Sequence, residues 1–334
     1  MAHGRALALL SIVALVAHAR DAAANLCAAA FTSVAVPRAA NSAQRIALLS
    51  TAFVHHTSDG GAHWTQFAVA TSNVRSFLVD DDGTTVILEG LPGTDRLRIF
   101  APDGSVRVDL RGPGVLRVDA AFGVIAYVDS SVVRVSRDRG RTFVVAEVPP
   151  FRNAAPATPN LVAYARDVRI ESTGVVRVLE VFDTTEHRRG HQARELRCRF
   201  SSRERCASVP IDADPFHTPN LDQLAPDDAI LANSIHSGFW LLQRGAFRPL
   251  VPQPHRRGRT SSNDRSMLFE YSSSTLWRLD GDTFSTVATA LPSDHVGVAL
   301  DAAGRALVAR PSALLRRDAP HRWTTLVDCA RRSP

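Results

Sequence analysis

The chain has no lysine: all 39 of its basic residues are arginine. Together with abundant alanine, valine and proline, this reads as the coding bias of a GC-rich genome. Arginine content therefore does not argue for nucleic-acid binding, and no nucleic-acid motif is present. Past the N-terminus, no apolar run approaches the length of a membrane span. No Cys-x-x-Cys pair marks a metal site, and no cofactor is expected. A sustained helical period with caps is also missing, which excludes a helical bundle.

What is present is ample for a buried core: 334 residues, 45% of them apolar, with a net charge of +6 that makes the surface moderately basic. Residues 1–24 read as a secretory signal. Arg5 supplies the positive start, Ala6 to Val16 the short apolar stretch, and Ala17-His18-Ala19 or Ala22-Ala23-Ala24 the small-residue cleavage site. Lipidation at Cys27 is disfavoured by Leu26, which stands where a small residue is wanted. The mature chain, 25–334, is expected to be soluble, monomeric and secreted or periplasmic. Its four cysteines are an even set in an oxidising compartment and allow three pairings. Cys198 and Cys206 flank a polar turn and can face each other across a hairpin, which leaves Cys27 and Cys329 near the two ends.

The chain repeats. Thr57-Ser58-Asp59-Gly60-Gly61-Ala62-His63-Trp64 is a polar turn between strand-like runs, and Ser136-Arg137-Asp138-Arg139-Gly140-Arg141-Thr142-Phe143 is a second. Five further hairpins centre on Asp103-Gly104, Ser201-Ser202, Arg244-Gly245, Asp280-Gly281 and Asp318. The turn centres recur at about 43 residues on average, the period of four-stranded propeller blades. Each hairpin follows another pair of strand-like runs, as Ser76–Val79 and Thr84–Leu88 precede the third. The fold class is therefore all-β: a seven-bladed propeller of four-stranded antiparallel blades, with six or eight blades as alternatives. The expected blades are 25–70, 71–112, 113–150, 151–211, 212–252, 253–292 and 293–334. A two-domain β-sandwich also fits many short strands, but not a single repeat running from end to end without a linker. A closed disc brings the first and last blades together, so Cys27 is expected to pair with Cys329.

The two clear turns resemble the Asp-box, or bacterial neuraminidase repeat, Ser/Thr-x-Asp-x-Gly-x-Thr-Trp/aromatic. Thr57, Asp59, Gly61 and Trp64 fill it once, with His63 in place of Thr; Ser136, Asp138, Gly140, Thr142 and Phe143 fill it again. Around Asp318 and Trp323 the pattern has decayed, with Pro320 in place of Gly. The chain is thus similar to exported Asp-box propeller proteins. That resemblance implies that the boxes sit between the third and fourth strands of a blade and are structural: the carboxylate accepts backbone N–H groups, the glycine relaxes the turn and the aromatic covers it.

Function is then expected on the opposite face. The long segments 149–160, 182–195, 212–228 and 252–266 fall there by strand count, and long polar loops on a rigid scaffold are the usual seat of binding. They carry Arg152, His187, Arg188, Arg189, His191, His217, Arg256, Arg257 and Arg259, candidates for an anionic glycan or acidic protein partner. The first expectation is an exported non-enzymatic binding propeller. The alternative implied by the resemblance is a sialidase-like glycoside hydrolase, with a Tyr nucleophile supported by Glu. Its Phe/Tyr-Arg-Ile-Pro motif is absent; Val36-Pro37-Arg38 is the nearest remnant, and only Tyr127, Tyr164 and Tyr271 are available. A third class is a factor resembling the propellers that help to assemble membrane complexes.

Overall fold

The computed structural model describes residues 26–331 except 40–41, 43, 92–93, 113, 130–131, 147, 150–161, 184–191, 201–203, 212–219, 235–237, 251–256, 264, 272–274, 282, 289–290 and 320–321. The expected signal segment lies outside them.

The strands form seven four-stranded antiparallel sheets, each a meander in chain order. Blade one is β1 (Phe31–Ala35), β2 (Ile46–Ser50), β3 (Phe53–Thr57) and β4 (Thr65–Ala68). Blade two is β5 (Val74–Val79), β6 (Thr85–Glu89), β7 (Arg96–Phe100) and β8 (Val106–Arg111). Blade three is β9 (Arg117–Ala121), β10 (Val124–Val128), β11 (Val133–Ser136) and β12 (Val144–Ala146). Blade four is β13 (Val162–Ile170), β14 (Val176–Asp183), β15 (Gln192–Phe200) and β16 (Glu204–Ile211). Blade five is β17 (Asn220–Leu224), β18 (Ile230–Ser234), β19 (Gly238–Gln243) and β20 (Ala246–Pro249). Blade six is β21 (Arg257–Ser262), β22 (Ser266–Tyr271), β23 (Thr275–Asp280) and β24 (Thr283–Ala288). Blade seven is β25 (Gly297–Leu300), β26 (Ala306–Arg310), β27 (Ala313–Ala319) and β28 (Arg322–Asp328). Each sheet falls inside the segment expected for it, and the count is seven.

Burial follows position in the blade. Two of the second strands, Ile-Ala-Leu-Leu-Ser in β2 and Thr-Val-Ile-Leu-Glu in β6, are buried at every residue. Outer strands such as β8 alternate apolar and polar side chains, and are part exposed. The reason is that a central strand is covered on both faces by neighbouring sheets, whereas an outer strand meets water.

The core is divided by interface rather than by blade. Ala35, Leu49 and Val54 of blade one pack with Phe77 and Ile87 of blade two. Corresponding clusters join blades two and three, three and four, four and five, five and six, and six and seven. A seventh, with Phe31 and Leu48 against Leu307 and Leu314, joins blade one to blade seven. That seam carries the disulfide Cys27–Cys329, and Phe31 N donates to Pro311 O at 2.9 Å. Gly297 sits where a Cβ would come within 3.1 Å of Val34 N, so the backbones of the first and last blades approach closely. The second disulfide, Cys198–Cys206, joins directly paired residues of β15 and β16. Both bridges are compatible with an exported protein. No helix among the described residues is long and apolar enough to cross a membrane.

Candidate functional site

The meander sorts its connections onto two faces. Links between first and second strands share a face with the turns between third and fourth strands. The connections between second and third strands, and between blades, leave from the other.

On the first face, the turns at Thr57 and Ser136 share one hydrogen-bond set. Thr57 Oγ1 donates to Asp59 Oδ1 at 2.7 Å and accepts Gly61 N at 3.0 Å, while Asp59 Oδ1 accepts His63 N at 3.0 Å. Ser136 Oγ donates to Asp138 Oδ1 at 2.7 Å and accepts Gly140 N at 2.7 Å, and Asp138 Oδ1 accepts Thr142 N at 2.8 Å. Gly61 and Gly140 take φ of 104° and 87°, which side chains resist. Trp64 Nε1 closes its turn on Gly61 O at 3.0 Å, and Phe143 meets Tyr127 edge-on at 5.2 Å between centroids. Burial opposes the charge on Asp138, but the bonds from Thr142 and Ser136 outweigh it and draw the carboxyl down to about 2. Burial likewise opposes Asp59, yet bonds from Thr57 and His63 hold it well below the usual carboxylate range. Asp318 differs. It lies in β27 at a register irregularity, and side chains of Thr324 and Arg316 hold it. Trp323 on β28 packs against the cluster between blades six and seven.

The first strands of all seven blades surround a central cavity of about 840 Å³. Among the described residues, five arginines line it (Arg38, Arg75, Arg117, Arg166 and Arg169) against two aspartates, Asp119 and Asp167. Arg38 leaves the connection after β1 and reaches across the axis. Its guanidinium bonds the Asp119 carboxylate of blade three and, at 2.9 Å, Ile170 O of blade four. Arg169 spans from blade four to blade six, donating to Ser262 Oγ at 2.8 Å and Asn263 O at 2.7 Å. These contacts lie where the first strands end, so two guanidiniums span between blades at the channel's end on the face of the 3–4 turns. Burial pushes Arg169 down to about 10, which leaves it charged near neutrality.

The same level is latched from blade to blade. Asp119 Oδ2 accepts Ile170 N at 2.7 Å, Asp167 Oδ2 accepts Leu224 N at 2.8 Å, and Ser261 Oγ accepts Leu300 N at 3.0 Å. Asp167 is surrounded by protein while bordering the channel, and burial pushes its carboxyl up to about 6.

The other end of the channel is basic. Arg75 donates to Val115 O at 3.1 Å and Leu116 O at 2.8 Å on the next blade. Arg117 in turn donates to Arg166 O at 2.6 Å, and the Arg166 side chain is exposed. Register irregularities fall at Arg75 in β5 and Arg166 in β13, and also at Thr32 in β1. A bulge re-aims the side chain of the extra residue, which is how a strand buried elsewhere presents a guanidinium at a rim. Three arginines on consecutive blades therefore ring one side of the mouth, on the face from which the blade-to-blade connections leave.

Of the sequence-predicted binding residues, Arg152, His187, Arg188, Arg189, His191, His217 and Arg256 lie outside the described residues. Arg257 and Arg259 have backbone in β21, the first strand of blade six, at another register irregularity. Sequence reasoning missed Arg75, Arg117, Arg166 and Arg169. The available signal was charge on a first strand, in Arg117-Val118-Asp119 and Arg166-Asp167-Val168-Arg169. Tyr127 belongs to the core between blades two and three, not to the channel lining. Among the described residues, no group of three or more His, Cys, Asp or Glu is placed to hold a metal ion.

No protein-family model matches the chain, and no curated protein matches it. Among solved structures, 629 chains match, a breadth that speaks for architecture and not for any one activity. YCF48 from Cyanidioschyzon merolae is similar with a TM-score of 0.53 at 14% identity, over 86% of this chain and 95% of that one. A structure of YCF48 bound to D1 peptide has a TM-score of 0.49 at 12% identity, over 87% and 92%. KlHsv2 with loop 6CD replaced by a Gly-Ser linker has 0.47 at 14%, over 71% and 76%. At such identities the likeness is one of fold, and the chain shares its propeller architecture with YCF48 from Cyanidioschyzon merolae.

Proposed function

We propose that this chain is an exported, monomeric, non-enzymatic binding propeller, related to the Asp-box proteins, that takes an acidic protein segment or anionic glycan at the open mouth of its channel. The observation that carries the reading is the channel's asymmetry. Arg38 and Arg169 span between blades at one end, while Arg75, Arg117 and Arg166 present guanidinium groups at the other. Among the described lining residues, five arginines against two aspartates, one with its carboxyl pushed up to about 6, give a positive field that favours anions. Guanidinium forks match carboxylate and phosphate oxygens in pairs, which supplies orientation as well as attraction. Arg152, His187, Arg188, Arg189, His191, His217, Arg256, Arg257 and Arg259 would extend the same basic face. The turns at Thr57 and Ser136 serve as hairpin staples on the face away from the ligand.

A hydrolase would need a tyrosine and a carboxylate at the axis. Tyr127 packs against Phe143, and Arg38 is engaged by Asp119 and Ile170 O, so neither favours that alternative.

The test is capture from the native envelope fraction on immobilised protein, comparing wild type with Arg75→Gln/Arg117→Gln/Arg166→Gln. Loss of the captured partner in the triple variant is expected. Unchanged capture would sink the channel-mouth reading, and turnover of a fluorogenic sialoside that Tyr271→Phe abolishes would replace it with the hydrolase.

A further inference from the structure

The face bearing the 3–4 turns has a recess of its own. It is a groove of about 550 Å³ where blades two, three and four meet, bordered by Arg107, Arg137, Arg139 and Arg141 and by the 172–174 turn. Among the described residues the carboxylate that lines it is Asp138, already engaged by Ser136 Oγ and by Thr142 N and Oγ1.

Two of the arginines are held in place by the protein. Arg139 Nε lies 3.2 Å from Asp82 Oδ2 and 3.7 Å from the buried Asp80. Arg107 Nη1 bridges Arg139 O and Thr84 Oγ1, each at 3.0 Å. Arg137 and Arg141 are exposed on either side of Arg139. In the turn the residues at 136, 138 and 140 are tied inward by hydrogen bonds, and the interleaved positions carry the arginines.

The equivalent turn of blade one is an internal control. It has the same hydrogen-bond set, yet its interleaved positions are Ser58, Gly60 and Ala62. The turn itself does not require arginine. Arg139 even occupies, at φ 59°, the left-handed position that Gly60 fills at φ 74°. A side chain there is disfavoured relative to glycine. Phe122, across the groove, is left-handed too, at φ 56°. Residues held in such conformations concentrate at binding sites.

We infer that this groove is a site for a phosphate or sulfate monoester carried on a small polar molecule. Four arginines border one groove, where Asp82 takes Arg139 and Asp138 is engaged within its own turn, and such an ester, doubly charged for phosphate and singly for sulfate, offers three terminal oxygens to guanidinium forks. Ser172 and Thr173, both exposed at the rim, add neutral hydroxyl donors. The volume exceeds that of a bare ion and falls in the range of small-molecule sites. The site is independent of the channel mouth, on the opposite face.

The experiment is calorimetric titration of the whole mature protein with glucose 6-phosphate, glucose 6-sulfate and glucose. Saturable binding of either ester, and none of glucose, is expected; the tighter ester names the natural group. Arg137→Gln/Arg141→Gln should weaken that binding at least about tenfold. Both side chains are exposed, so an unchanged melting temperature will show that the variant is folded. Arg75→Gln at the channel mouth should leave ester binding as it was. No saturable binding, wild-type affinity in the double variant, or loss in Arg75→Gln would each overturn the inference.

Discussion

Opening the seam disulfide measures what closing the ring contributes. Cys27 and Cys329 are separated by 302 residues in sequence, Cys198 and Cys206 by 8. In the chain-entropy account, the longer loop stabilises by about 6 kcal/mol and the shorter by about 2.5 kcal/mol. The Phe31 N–Pro311 O bond and the apolar cluster still hold the first and last blades together, so Cys27→Ala/Cys329→Ala should fold as a propeller. With an unfolding entropy of about 0.65 kcal/mol/K for a chain of this size, its melting temperature should fall by about 9 °C. Cys198 is fully buried, so Val is the better replacement in the hairpin because it preserves volume. Cys198→Val/Cys206→Val should lose about 4 °C. Scanning calorimetry of the two variants decides the matter. A seam variant no less stable than the hairpin variant would refute the entropic reasoning, since the two bridges differ in loop length far more than in chemistry.

Acid will act on the fold with two signs. His55 and His56 are held near 4 by burial, so the unfolded chain takes up protons first, and their stabilisation is complete above pH 6.5 and lost as pH falls toward 4. Asp81 and Asp167, pushed up to about 6 by burial, add stability as pH falls from 6 toward 3.8. Asp81→Asn/Asp167→Asn should therefore melt progressively lower than wild type from pH 6.5 to 4; parallel profiles would contradict this. Ser136 is fully buried, and Ser136→Ala leaves Gly140 N without its acceptor, so a loss of about 1–3 kcal/mol in urea unfolding is expected. Arg177→Met takes the 2.5 Å partner from the buried Glu195 but leaves it Arg197 at 2.9 Å, so it should cost less than the about 3–5 kcal/mol of a fully stranded charge, and Glu195→Leu in the same chain should restore part of that. A double variant worse than the single would refute the stranded-charge account.

The blades were legible because their signals are local. A two-residue side-chain period, a polar turn and its recurrence are all properties of short segments, and every sheet falls within its expected stretch. Cys27–Cys329 followed from closure alone. The channel was not legible, because its contacts join residues that only the closed ring brings together: Arg38 with Ile170, and Arg169 with Asn263. The Asp318 turn was read as a decayed box, with Pro320 in place of Gly. Its Asp and aromatic matched the pattern, but without a glycine the strand runs on to Ala319 and the carboxylate meets side chains instead.

An arginine-only basic set means that guanidinium chemistry does two jobs in this molecule, and partner geometry separates them. Arg98 spends Nη2 on Glu89 Oε2 and Ala70 O, Arg177 reaches Glu195 and the 2.9 Å contact with Ala225 O on the next blade, and Arg194 joins Glu180 to Pro149 O. All three are buried, and all three tie a strand to a blade link or a neighbouring blade. A planar fork that can take a carboxylate with one arm and a carbonyl with another suits that place better than a point charge. Composition bias can supply such residues, and the fold then puts them to structural use. Arg166 and Arg141 follow a different rule. They are exposed, they stand at recesses on opposite faces, and the backbone around each departs from regular geometry, by a bulge at one and by left-handed Arg139 near the other. Bias in composition accounts for an arginine, and exposure at a recess is what separates Arg166 and Arg141 from the buried set.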